Sequence, residues 1–365
     1  MKRREAPEFT SSFTVVSITH RSPLPQACSL IRRICIHPLT RSFPFVTLKP
    51  QAMKSFRLLA ITALATIITP LCAQEPEHIS DLIYTKHDGV ALTMDVFKPA
   101  NPNGAGIIKI VSGGWKSNHK GISDGGWPKA GYTTFVVVHG SQPRFQVEEI
   151  VTDLNRAVRF VRANAAHYDV DPMKLGVTGS SAGGHLSLML ATRGGDGNAG
   201  AADPVDRESS AVQAAACFYP PTDYLNWFED GDNAVGIGRL EAYAGAFGPK
   251  SATPEGREAL GRELSPIYWV RKNQPPVFIV HGDADPQVSI TQAHRFLKRC
   301  NEAGANCELF IREGAGHGGW QEMSDDTARM TEWFDLQLLG KQPAKPFGQG
   351  VKSGPRTPVK KAAAK

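Results

Sequence analysis

The chain has 365 residues, 41% of them hydrophobic, and a formal net charge of +6, which permits one large or two ordinary domains built on a substantial core. The positive excess belongs to the two ends. Between 74 and 340, 24 Lys and Arg stand against 33 Asp and Glu, a net of −9, so the overall charge is no sign of nucleic-acid binding by the folded part and no nucleic-acid partner is expected.

In chain order, residues 1–52 are basic, dotted with proline and without sustained periodicity, and are expected to be an upstream extension outside the fold. Met53 to Ala73 begins with Lys54 and Arg57, continues through a 14-residue apolar run from Leu58 to Leu71, and exits at Cys72-Ala73. That is the plan of a secretory signal peptide, and it predicts export to the periplasm or the medium. The run is too short to span a bilayer, so no stable membrane span is expected. Cys72 raises lipid attachment, but Leu71 before it is bulkier than the small residue such a site carries, and cleavage after Ala73 is expected instead.

Strand and helix signals then alternate, which predicts an α/β fold with a mainly parallel sheet covered on both faces. Ile79–Thr85 and Ala91–Phe97 flank His87-Asp88-Gly89 as an opening hairpin, and strands are expected at Gly106–Val111, Thr133–Val138, Leu175–Thr178, Val212–Phe218, Pro276–His281 and Glu308–Ile311. Val147–Ala163 keeps helical apolar spacing with charges between, and further helices fit at Thr291–Glu302 and Asp325–Leu339. Residues 220–264, rich in Gly, Pro and aromatics, break the rhythm and are expected to form a small cap, the catalytic domain being 74–340. The basic, proline-containing 341–365 is expected to be a disordered tail. Cys300 and Cys307 bracket a helix-to-strand turn; whether they pair is open in the sequence, while Cys217 lies in an apolar run as a small hydrophobe. No Cys-His spacing suggests zinc, and no metal site is expected. The oligomeric state is not legible.

The organising stretch is Gly179-Ser180-Ser181-Ala182-Gly183-Gly184, between a strand-forming run and the helix-forming His185–Ala191. Small residues allow a sharp strand-turn-helix that lifts Ser181 to a helix start, where unpaired N–H groups favour developing negative charge. A serine needs a base and the base needs an orienting group. Downstream, after successive strands, come His281-Gly282-Asp283-Ala284-Asp285-Pro286 and Gly314-Ala315-Gly316-His317-Gly318-Gly319-Trp320. His317, in a glycine loop, reads as the base. His139 and His281 follow apolar strands and read as structural, and His185 as packing beneath the turn.

These stretches resemble the α/β-hydrolase fold, over about Asp81 to Leu339, and within it the secreted esterases related to feruloyl and acetylxylan esterases and the lipase-like carboxylesterases. The resemblance implies a serine ester hydrolase with an acyl-enzyme intermediate, no metal or organic cofactor, and a small-molecule or polysaccharide ester as its substrate partner. Because His281 to Asp285 resembles the family's His-Gly-x-x-Asp pattern, it implies Asp285, rather than Asp283, as the third triad member beside Ser181 and His317. Where the family carries His-Gly-Gly-Gly-Trp, this chain has Ser112-Gly113-Gly114-Trp115, so the oxyanion donors are expected at Gly113 or Gly114, with Trp115 as a further alternative, together with the N–H of Ala182. Trp115, Trp227 and Trp320 are candidate pocket walls. Two competing readings are a peptidase of the prolyl-oligopeptidase type and a non-catalytic binding protein on the same fold.

Overall fold

A computed structural model describes residues 75–348 together with the short strand Val351–Lys352. The extension and signal peptide expected over 1–73 lie outside these residues, as do 353–365.

The chain opens with a hairpin of β1 (Glu77–His87) and β2 (Val90–Lys98), closed by a two-residue loop in which Asp88 and Gly89 have φ of 50° and 70°. Such a turn needs positive φ at both central positions, which an Asp-Gly pair adopts at little cost. The strands β3 (Gly106–Val111), β4 (Thr133–Val138), β5 (Leu175–Ser180), β6 (Ala214–Phe218), β7 (Val277–Gly282), β8 (Cys307–Glu313) and β9 (Val351–Lys352) complete a nine-stranded sheet in the order β1-β2-β4-β3-β5-β6-β7-β8-β9. The first two pairings are antiparallel and all others parallel.

Alternation within the buried strands feeds two apolar layers. Ile108, Ile110, Phe135, Val137, Val277 and Ile279 face one; Ile107, Phe278 and Val280 face the other. Over the first lie α1 (Val147–Ala163), α2 (Ala182–Arg193) and α4 (Ile290–Ala303), the last following the cap helix α3 (Pro254–Leu264); over the second lies α5 (Met323–Leu339). Helix α1 buries Ile150, Leu154, Val158 and Val161 on one stripe. Its start is closed by a capping box, in which the Gln146 N–H donates to the Glu149 side chain.

The segment after β6 forms the cap. It holds α3 and three short 3₁₀ turns, Gly238–Ala246, Pro249–Ala252 and Pro266–Trp269. Cys300 and Cys307 are joined by a disulfide between the end of α4 and the start of β8. The tail departs from expectation in its first part. Phe347 is buried against Phe278 and Trp333, the Arg329 guanidinium donates to the carbonyls of Pro346 and Phe347, and β9 pairs with β8. One apolar side chain with a ready pocket outweighs the local polarity of the segment.

Candidate active site

Four loops leave the carboxyl ends of β3, β5, β7 and β8 and converge. The position of Ser181 is set by the glycines around it. A Cβ on Gly179 would lie 2.5 Å from the Gly183 backbone, one on Gly183 2.7 Å from the Ile110 carbonyl, and one on Gly184 2.9 Å from the Phe218 carbonyl. Glycine is therefore required at all three positions for helix α2 to start this close to the sheet. The turn leaves Ser181 at φ 54°, ψ −123°, a conformation that costs about 1–3 kcal/mol. It is held by the Ser181 N–H donating to Phe218 O at 3.0 Å and the His185 N–H donating to Ser181 O at 2.9 Å.

The glycine loop after β8 brings His317 to this serine, with Nε2 2.8 Å from Oγ. Its Nδ1 lies 2.7 Å from Oδ2 of Asp285, on the loop after β7. Since only Nδ1–H can donate to a carboxylate, the neutral ring presents Nε2 as acceptor to the serine hydroxyl. Burial alone would raise the Asp285 pKa. Hydrogen bonds from His281 and His317 and from the N–H groups of Val288 and Gln287 outweigh it and hold the carboxyl well below the usual carboxylate range. Asp283, two residues earlier, instead accepts the Gly314 N–H at 2.5 Å and fastens the start of the His317 loop.

The oxyanion stretch corrects one expectation. Gly113 and Lys116 form a bridge in which each N–H donates to the other's carbonyl, at 2.9 and 3.0 Å, so the Gly113 N–H is already used. Gly114 and Trp115 follow with φ of 55° and 57°. The N–H groups of Gly114 and Trp115 and that of Ala182, at the unpaired first turn of α2, make no hydrogen bond among the described residues, so Gly114 or Trp115 is available to pair with Ala182.

The cavity above these groups has a volume of about 590 Å³. Trp115 and Trp227 line it, but Trp320 does not. The Trp320 indole turns to the other face of the sheet, where its Nε1–H donates to Asp326 at 2.7 Å. Asp326 also receives the Arg312 guanidinium in a fully buried pair, so Trp320 fastens the far end of the His317 loop. Trp115 is an anchor as much as a wall: its Nε1–H donates to Nδ1 of the buried His185 at 3.3 Å, and its ring packs on Tyr224, Tyr243 and Phe247.

The family model described as BD-FAE matches residues 94–299, more than half of the chain. The chain belongs to the BD-FAE family. Among curated relatives, esterase LipQ of Mycobacterium tuberculosis is 29% identical over 64% of this chain and 54% of its own length. An acetylxylan esterase of Xylanibacter ruminicola is 30% identical over 72% of this chain and 50% of its own. The chain thus spans about half the length of the curated relatives it matches. Among solved structures, a truncated carbohydrate esterase from gut microbiota superposes with a TM-score of 0.64 at 24% identity, covering 74% of this chain and 99% of that one, and shares the α/β-hydrolase fold.

Among the lining residues of this BD-FAE chain that the sequence does not single out are Tyr219 and Arg239. Tyr219, one residue past β6, has φ 36° and its ring centroid 4.5 Å from that of His317. Its place at a strand's carboxyl end was the available signal. Arg239 enters the cavity from the cap, where no periodicity marks it.

Proposed function

We propose that the protein is a serine carboxylesterase in which Ser181 is the nucleophile, His317 the general base and acid, and Asp285 the group that fixes the histidine tautomer. The observation that carries this reading is the unbroken path Asp285–His317–Ser181, with links of 2.7 and 2.8 Å, opening on a cavity beside unpaired backbone donors. Ser181 Oγ attacks the ester carbonyl as His317 Nε2 takes its proton. The carbonyl oxygen gains charge beside the N–H groups of Ala182 and of Gly114 or Trp115, which favour that charge most in the transition state. His317 returns the proton to the departing alkoxide, and an acyl-enzyme remains. Water repeats the sequence, giving its proton to His317 and displacing Ser181. The Tyr219 ring packs against His317 and helps hold its imidazole in place.

Carbohydrate esters with short acyl or aroyl groups are the substrate class we favour. The names of the acetylxylan esterase relative and the carbohydrate esterase neighbour support it, as does a cavity with the aromatic walls Trp227, Tyr219 and Tyr243. Export is part of the proposal and rests on the signal-like 53–73. It predicts a mature N-terminus at Gln74 in secreted or periplasmic protein; retention of the segment in the cytoplasm would contradict it.

The test is release of p-nitrophenolate from p-nitrophenyl acetate by the protein and by Ser181→Ala. The variant should lose about three or more orders of magnitude in kcat/KM while keeping the fold. Equal turnover by the two proteins would remove Ser181 from the mechanism.

A further inference from the structure

Arg239 is the one formally charged side chain, His317 aside, among the described residues that line the cavity. An exposed arginine on a cap would ordinarily be a solvated charge or half of a surface ion pair. Arg239 is itself exposed, but it is not half of an ion pair. Among the described residues no carboxylate pairs with it, although paired arginines are common elsewhere in the molecule. Its guanidinium instead lies 4.6 Å over the ring centroid of Phe228. Phe228 is held in turn by its N–H donating to Asp232 at 3.1 Å. A cation–π contact of this kind attracts the guanidinium to the ring and leaves its N–H groups available to donate.

The backbone sets this position too. Gly236 and Gly238, with φ of 68° and 55°, bracket Ile237 immediately before Arg239 and turn the chain into the 3₁₀ segment Gly238–Ala246, which also supplies Leu240 and Tyr243 to the cavity wall. The sign of the charge is informative because residues 74–340 carry a net of −9. Residues 74–340 taken together are anionic, yet the cavity that holds Ser181 is lined by a cation with no carboxylate partner among the described residues.

Resting on the esterase reading above, we infer that Arg239 is a specificity-determining residue that receives a carboxylate carried by the substrate, so that the preferred ester is acidic. Two sources share this chemistry: a dicarboxylic acyl group esterified at one end, and an acylated uronic acid. Planar pairing of a guanidinium with a carboxylate gives both hydrogen bonds and geometry, whereas a neutral sugar hydroxyl offers one weaker acceptor.

The experiment compares kcat/KM for mono-p-nitrophenyl glutarate with p-nitrophenyl butyrate, and for acetylated methyl glucuronoside with acetylated methyl glucoside. The anionic-to-neutral ratio should exceed unity in at least one pair. It should fall by about tenfold or more in Arg239→Gln, recover in part in Arg239→Lys, and shrink with added salt. The pair that carries the preference tells whether the carboxylate sits on the acyl or the alcohol side. A ratio at or below unity in both pairs, or a preference that survives in Arg239→Gln, overturns the assignment while neutral-ester turnover leaves the esterase reading standing. If no ester is turned over, that reading fails, and Arg239 is judged by binding alone. Glutarate or glucuronate should then quench tryptophan fluorescence saturably, through Trp227 in the cavity wall, and do so no longer in Arg239→Gln. The absence of that difference overturns the inference.

Discussion

Asp283 and Asp285 show how much two neighbouring carboxylates can differ. Both accept backbone N–H groups, but only Asp285 also faces His317, and it is buried with His281 on its other side, whose Nε2 lies 2.9 Å from Val288 O and 3.4 Å from Asp285 Oδ2. Asparagine keeps an acceptor oxygen in either place yet cannot hold the same histidine tautomer. Asp285→Asn should therefore lower kcat by about four orders of magnitude, whereas Asp283→Asn should stay within about threefold because its Oδ1 can still take the Gly314 N–H. Steady-state kinetics on p-nitrophenyl acetate read both, and a larger loss at Asp283 would exchange their roles. Ser181 and His317 were legible because their glycine surrounds have a chemical reason that local sequence displays. The engagement of Gly113 with Lys116 and the turn of Trp320 away from the cavity were not. Each depends on which side of a loop faces the sheet, and that is decided by distant partners such as Asp326.

At the level of elements, α1 and the parallel strands were readable nearly to their ends because apolar spacing matches their period. The cap was readable as an interruption but not as structure. Thr253-Pro254-Glu255 was an overlooked helix start, with the Thr253 side chain accepting the Gly256 N–H and proline at the first helical position. One of the ties between the cap and the rest of the fold is a glutamine that no pattern marks. Gln292, fully buried on α4, accepts the N–H groups of Thr222 and Asp223 at 2.8 and 2.7 Å and donates to the carbonyls of Asp223, Asn226 and Trp227 at 3.1, 2.9 and 2.8 Å. Gln292→Leu keeps the volume and strands these backbone groups. It should cost about 2–4 kcal/mol, on the scale of orphaned buried polar groups, and lower the Tm by roughly 4–8 °C. Thermal unfolding followed by circular dichroism checks this, and an unchanged Tm would mean that the segment from 222 to 227 is anchored some other way.

Over the whole molecule, buried histidines set the response to acid. His185 donates from Nε2 to Leu264 O at 2.7 Å, which with the Trp115 contact knits the oxyanion stretch, α2 and the end of α3 together; His139 lies 2.6 Å from Gly140 O. Burial lowers both pKa values to about 4, against a backbone hydrogen bond that opposes it. In the unfolded chain the same rings take up protons near pH 6.5. Between those values the unfolded state binds more protons, so the stability these residues allow is complete above about pH 6.5 and is lost as pH falls toward 4, on the order of 3 kcal/mol for each. The contribution of Asp285, whose pKa is depressed, is lost only at lower pH, below about 3.8. His87 acts in the opposite sense. Its pKa is raised, first by the Asp88 hydrogen bond and then by that to Asp153, so it stabilises below about pH 6.5 and ceases to as pH rises through its folded value. Being close to solvent, it is screened and offsets little of the loss. Urea midpoints should therefore fall steeply between pH 6.5 and 4.5, and His139→Gln, which removes one of the two titrations, should flatten that slope by about half. A midpoint constant across this interval would mean that water reaches both rings in the folded protein and that neither is held neutral by burial.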